Sequence, residues 1–250
     1  MTRREIRIIP VRGIPLISPG DDLASYLIDS MRDDAALIPG DILVVTHSVV
    51  SVAENSLYGL DDLQPSNRAS SIAARNQQDP RRVEAALREA SDVLRETPVL
   101  ITRTRQGVIT DYSGIDSSNA PRGFLVALPK DPDMSARRIA QRVSEHAGFD
   151  VPVIITDTQG RPWRKGAVNV AIGLSGISPL LTHAGERDMH GRTLRGSVVC
   201  VADEIASMAE LVMGQSDEGI PAVIVRGVSL GSGDGTATQI YRDERDNLFK

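Results

Sequence analysis

Apolar positions recur along the chain with two different periods. The segment "EIRIIPV" (5–11) alternates polar and apolar residues as a half-buried strand does, and "GIPLISPGDD" after it is rich in turn formers. Leu23, Leu27 and Met31 then share one helical face. "PGDILVVTHSVVSV" opens with a turn and predicts a buried strand. Asp79-Pro80 has the makings of a helix start, Asp as N-cap and Pro in the first turn, with Val83, Leu87, Ala90 and Leu94 continuing the apolar face. "DPDMSARRIAQRVSEHAG" repeats the device, with Ile139 and Val143 inward and Gly148 as its stop.

Further on, "VPVIIT" (151–156) reads as a buried strand with Asp157 and Thr158 at its tip, followed by a polar turn. "AVNVAIGLSGI" is apolar and broken by glycine, predicting strand and loop. "ADEIASMAELVMG" gives the clearest helix, Ile205, Met208, Ala209 and Val212 on one face and Gly214 at its end; "IPAVIVRGV" predicts another buried strand. Helices and strands are mixed from end to end, no repeat of fixed period occurs, and no linker divides the chain. The expected class is α+β (mixed α/β), with residues 1–250 forming one unit in which two closely packed subdomains are compatible with the pattern.

The 250 residues can bury a real core, and with aromatics at 3% that core is aliphatic. A net charge of -5 argues against a general nucleic-acid binder. The N-terminus lacks the apolar run of a signal peptide and nowhere do about 18 apolar residues follow one another, so the expected location is cytoplasmic, without membrane attachment. The one cysteine, Cys200, excludes an internal disulfide and a thiolate-rich zinc site, and its apolar surroundings make it a small core residue.

Two acidic loops carry candidate chemistry. "TDYSGIDSSNAPRG" holds Asp111, Asp116, Ser117, Ser118 and Asn119, and "TDT" presents Asp157 beside Thr158. Carboxylates and hydroxyls at strand ends suit a hard divalent cation serving a nucleotide, and equally suit turns and helix caps. The basic turn "RPWRKG", with Arg161, Arg164 and Lys165, could neutralise phosphate or carboxylate, with Trp163 stacking on a ring; a solvated turn with a partly buried indole is the alternative. "GVSLGSGDGT" lacks the Walker lysine and reads as a surface loop rather than a phosphate cradle. "MGQSDEGIP" is compatible with a mere capped turn. The four histidines show no zinc-hydrolase spacing, and His47, at the end of an apolar run, is the most interesting of them.

Together the motifs go further. "GIPLI", "GIDSSN", "VIITDTQGRPWRKG", "ERDMHGRTLRG", "VADEIASMAELVMG" and "GIPAVIVRG" occur in an order and spacing that resembles the coenzyme F420-0:L-glutamate ligase family over nearly the whole chain. The resemblance implies that family's own mixed fold, a homodimer, and small-molecule substrates: F420-0, L-glutamate and GTP. It implies an acyl-phosphate intermediate, successive γ-linked glutamates, a divalent cation (manganese or magnesium), and potassium as a further ion. By resemblance Asp116, Asp157, Thr158 and Gln215 fall on metal positions, Gln215 where an acidic ligand is found in the family. Ile14, Pro15, Leu16 and Ile17, then His47, Ser48 and Asn119, and the run Met213, Gly214, Gln215, Ser216, Asp217, Glu218, Gly219 and Ile220 fall on nucleotide contacts. Arg161 and Arg164 are expected to face anionic substrate by inference from their charge.

Two departures from the family pattern stand out. Val52 takes the place of a lysine in Ser-Lys-Ala-Glu-Gly, and Tyr112-Ser113-Gly114 replaces Asn-Ala-Gly. A ligase for another carboxylic acid, or a non-catalytic nucleotide or deazaflavin binder, would share the remaining motifs.

Overall fold

The computed structural model describes residues 5–230 and 233–249. Along the chain run β1 (Arg7–Pro10), α1 (Leu23–Ser30), β2 (Ile42–Thr46), α2 (His47–Ala53), β3 (Leu57–Gly59), α3 (Asn67–Asn76), α4 (Pro80–Glu89), β4 (Ala90–Arg95), β5 (Ile101–Thr104) and β6 (Ile109–Asp111). They are followed by β7 (Phe124–Val126), α5 (Pro132–Ala147), β8 (Val153–Arg161), β9 (Arg164–Ser175), β10 (Leu180–Thr182), β11 (Val198–Cys200), α6 (Val201–Met213) and β12 (Ala222–Arg226).

The central sheet has the order β1-β12-β2-β8-β9, antiparallel except for the parallel pair β2 and β8. Its inner strands are apolar without interruption because both faces are covered. Leu43, Val45, Val153, Ile155 and Ile224 point into a cluster with Leu27 of α1 and Ile139 and Val143 of α5. The alternate residues Ile42, Val44, Ile154, Val223 and Val225 meet Ile205, Ala209 and Met213 of α6. The fold is therefore mixed α and β, a sheet between helices. A third apolar cluster lies in residues 63–127, where α3 and α4 pack with Leu100, Tyr112, Ile115 and Leu125. It is bordered by the antiparallel sheet β4-β5-β6.

Several elements differ from the pattern. The run read as one buried strand from Pro39 to Val52 turns at Thr46 into α2. His47, Val50, Ser51 and Val52 are its buried residues, the first three at helical i, i+3, i+4 spacing. The β-branched valines read as strand, and packing overrode that propensity. Helix α4 stops at Glu89, and Ala90 and Leu94 belong to β4. Strand β8 does not end at Asp157 but continues to Arg161, where the basic turn proves to be the tip of the β8–β9 hairpin. Trp163 at that tip is 82% exposed rather than partly buried, with the Phe249 ring 5.6 Å away. Half-buried Cys200 packs against the α6 cluster, and burial pushes its thiol up to about 12. The glycine-rich stretch 227–236 includes Gly231 and Ser232, which lie outside the described residues. Among the described residues no helix is long and apolar enough to cross a membrane.

The edge strand β9 is bound to its helices through its backbone. The N–H groups of Ala171 and Leu174 donate to Asp203 (2.9 Å) and Asp133 (2.8 Å), carboxylates in the first turns of α6 and α5. Between them Gly173 lets the Pro132 backbone close in: a Cβ there would sit 2.4 Å from the Pro132 carbonyl oxygen. Gly173→Ala is expected to destabilise the fold by about 1–3 kcal/mol, as overpacking does. A lowered urea midpoint at unchanged slope would report it, and an unchanged midpoint would show that α5 can yield.

Candidate active site

The parallel register of β2 and β8 sets Thr46 abreast of Thr156. One residue further, His47 begins α2 and Asp157 continues β8, so the two side chains meet at the carboxyl ends of the parallel strands, the usual binding position of an α/β sheet. His47 Nε2 lies 3.3 Å from Asp157 Oδ1, and both side chains are under 10% exposed. The other imidazole nitrogen faces the Ser51 hydroxyl at 3.4 Å. The second carboxylate oxygen of Asp157 accepts from the Gln159 amide.

A β-bulge shifts the pairing of β8 with β9 just before Asp157. Ile155 pairs with Gly173 but Thr156 pairs with Ala171, leaving Ile172 as the extra residue of β9. Beyond it Thr158 stands opposite Asn169, and its hydroxyl donates to the Asn169 side-chain oxygen at 2.6 Å. The Gln215 amide nitrogen donates to that Thr158 hydroxyl at 2.8 Å and also to Glu210. Glu210 is held above the usual carboxylate range by its burial.

Asp116 arrives by a different route. Tyr112, Ser113 and Gly114 all have positive φ (46°, 55° and 68°), a left-handed turn unfavourable for the first two. Buried hydrogen bonds hold it: the Ser113 hydroxyl donates to the Ala86 carbonyl, and Ser113 N–H donates to Thr102. The turn leads through Ile115 into Asp116, whose oxygens accept from Ser118 N–H and hydroxyl.

These pieces line one cleft of about 830 Å³, within the ordinary range for a ligand site. Its walls include Ile14, Pro15, Leu16 and Ile17, His47 and Ser48, Asn119, and Met213, Gly214, Gln215, Ser216, Glu218, Gly219 and Ile220, together with Asp116, Asp157 and Thr158. Asp217, Arg161 and Arg164 are not among the lining residues. Arg161 instead donates to the carbonyls of Lys165 and Gly166 in its own hairpin. Val52, at the departed lysine position, is in the cleft wall, whereas Tyr112 is buried behind it in the third apolar cluster.

Carboxylate, hydroxyl and amide oxygens are the donors a magnesium or manganese ion prefers. Among the described residues no three His, Cys, Asp or Glu side chains gather as a metal cluster. A cation at Asp116, Asp157, Thr158 and Gln215 would thus complete its shell from water and phosphate oxygens.

Residues 13–227 match the family model described as F420-0:Gamma-glutamyl ligase. The chain belongs to this family. It is 50% identical to the coenzyme F420:L-glutamate ligase of Methanopyrus kandleri, covering 98% of both chains. The ligases of the same name from Methanothermobacter thermautotrophicus and Archaeoglobus fulgidus are 43% and 42% identical, over 98% of this chain and 99% and 96% of theirs. As a member of the F420-0 ligase family the protein is an acid–amino acid ligase.

The cleft also contains residues not named as candidates: Arg82 and Asn169, and Thr110 and Arg122 at the two ends of the loop that carries Asp116. Asn169 sits three residues before the bulged Ile172, and only the strand pairing shows that it faces Thr158. Arg82 follows Arg81 in an ordinary helix start, and sequence gives no means of telling the two apart. His47→Leu leaves the buried Asp157 carboxylate without its imidazole partner. It is expected to cost about 1.5–3 kcal/mol, the worth of a hydrogen bond to a charged group. Urea denaturation checks this, and His47→Gln, which keeps a donor, should recover part of the loss.

Proposed function

We propose that the enzyme joins the carboxylate of F420-0 to the amine of L-glutamate at the expense of GTP, with a divalent cation, and that further γ-linked glutamates are added by the same chemistry. The observation that carries this reading is convergence: the motif positions from Ile14 to Ile17, Asp116, Asn119, Asp157-Thr158 and, Asp217 apart, Met213 to Ile220, far apart in sequence, line the same cleft. From the family resemblance the working unit is a homodimer.

A carboxylate is a poor acylating agent, so its oxygen must first become part of a leaving group. In the proposed sequence a carboxylate oxygen attacks the γ-phosphorus of GTP, the bond to the GDP oxygen breaks, and an acyl phosphate forms. The glutamate amine, as its free base, then attacks the acyl carbon. The new C–N bond forms, the C–O bond to phosphate breaks, and inorganic phosphate leaves as the nitrogen sheds its proton.

The protein's part is to hold mutually repelling anions in line and away from water. Asp157, fixed by His47 and by its place in β8, and Asp116, fixed by the left-handed turn, would hold the cation with Thr158 and Gln215. The cation supplies charge neutralisation at phosphate oxygens. The segments 14–17 and 213–220 would enclose the nucleotide.

Val52 in the wall favours a second reading, a ligase of the same chemistry for another acid. One assay separates the two: mass spectrometry of F420-0 incubated with enzyme, L-glutamate, GTP and manganese(II), with omission controls. Product heavier by one or more glutamyl units, dependent on GTP and metal, is expected. Unchanged F420-0 in every mixture, including those with ATP or magnesium, would overturn the substrate assignment. Asp157→Asn should lower turnover by about 10²-fold or more, as loss of a charge-stabilising group does, and full activity of that variant would remove Asp157 from the site.

A further inference from the structure

Arg82 is a cation in the cleft wall that no motif brings with it. Its neighbour Arg81 is engaged with Asp79 at 2.7 Å. Arg82 has no such partner: among the described residues it takes part in no ion pair within 4.0 Å. The guanidinium is nonetheless fixed. Nε and Nη2 donate to the Ile115 carbonyl at 3.2 and 3.0 Å, and Nη1 donates to the Gln78 side-chain oxygen at 3.3 Å. Its central carbon lies 4.7 Å from the centroid of the Tyr112 ring.

These bonds use three of the five N–H groups of an arginine. Two N–H groups and a whole positive charge are left in a cleft that also holds Asp116 and Asp157. An aromatic face on one side and a shared carbonyl on the other fix the plane of the fork before any ligand arrives, so little side-chain entropy is lost on binding. The other arginine of the cleft, Arg122, is exposed and makes none of the hydrogen bonds or ion pairs found among the described residues. It lacks this preorganisation.

We propose that Arg82 binds a phosphate-type oxyanion in the cleft, supplying the fixed positive charge that Val52 does not. Tyr112, buried behind the wall, acts on that anion through Arg82. The two departures from the family pattern thereby become connected, one removing a cation and the other supporting a different one. The oxyanion belongs either to the nucleotide or to the phosphodiester of the acid substrate; its identity rests on the proposed ligase reading, whereas the site does not.

The test is calorimetric titration of the full-length protein with inorganic tripolyphosphate at fixed ionic strength, for wild type, Arg82→Lys and Arg82→Gln. Arg82→Gln is expected to weaken binding about 10- to 100-fold, the effect of losing a charge-assisted pair, and Arg82→Lys to weaken it less. A purely structural role, holding the Ile115 carbonyl, would rank the lysine and glutamine variants as equals, because both side chains can still donate there. That ranking would overturn the proposal, as would wild-type affinity in Arg82→Gln or no binding by the wild type. If the glutamine variant does not fold, Arg82→Met replaces it under the same affinity criterion. Parallel titrations with GTP and with F420-0 identify the source, the affected ligand being the one whose phosphate Arg82 meets. An Arg82-dependent tripolyphosphate site in an enzyme that forms no glutamyl product from F420-0 would overturn the proposed acid substrate and leave this proposal standing.

Discussion

The pairing of Asp157 with His47 constrains the rest of the site. A carboxylate this deeply buried is tolerated only with a partner at close range, and the partner is set by backbone pairing rather than by a flexible loop. The parallel register of β2 and β8 places the two residues side by side, and the turn of the chain into α2 aims the imidazole. A slip of one residue in either strand would send the buried side chains to the opposite face. The same register that fills the two apolar faces of the sheet therefore also fixes the carboxylate, and stability and site geometry share one cause.

Around this pair the cleft is assembled from both ends of the chain and its middle. The β8–β9 bulge turns Thr158 and Asn169 to face each other, and the end of α6 brings Gln215 onto the Thr158 hydroxyl. The third apolar cluster contributes Asp116 through a left-handed turn, held by the buried hydrogen bonds of Ser113 and by the Tyr112 N–H donating to the Leu100 carbonyl. Strain of that kind persists where surrounding packing over-determines it. Each acidic residue thus has its own rigid support, so two like charges can be brought to one cleft without relying on each other.

Much of this was legible in the sequence where one local signal dominated. The caps Asp79 and Asp131, the Gly148 and Gly214 stops and the aliphatic runs of β2, β8 and β12 all carry their message within a few residues. The motif positions were legible too, and most of them line the cleft. What stayed hidden depends on tertiary context. Helix α2 is written in valines that favour strand, α3 offers one large apolar residue, Ile72, among alanines and polar residues, and the strands of the β4–β6 sheet are short and largely polar. The bulge has no sequence mark, and the different fates of Arg81 and Arg82 are decided by what each happens to meet. Arg161 and Arg164 were conspicuous as a charge cluster, yet a two-residue hairpin tip satisfies Arg161 with its own backbone carbonyls.

In the proposed chemistry the cleft activates a carboxylate by moving a phosphoryl group onto it, and the fate of oxygen tests that step. F420-0 carrying heavy oxygen in its terminal carboxylate would be turned over with GTP and L-glutamate, and the released inorganic phosphate analysed by mass. Transfer of one labelled oxygen to phosphate is the predicted result, since the attacking carboxylate oxygen leaves with the phosphoryl group. Glutamyl product formed with unlabelled phosphate would contradict the step and require a different way of activating the acid.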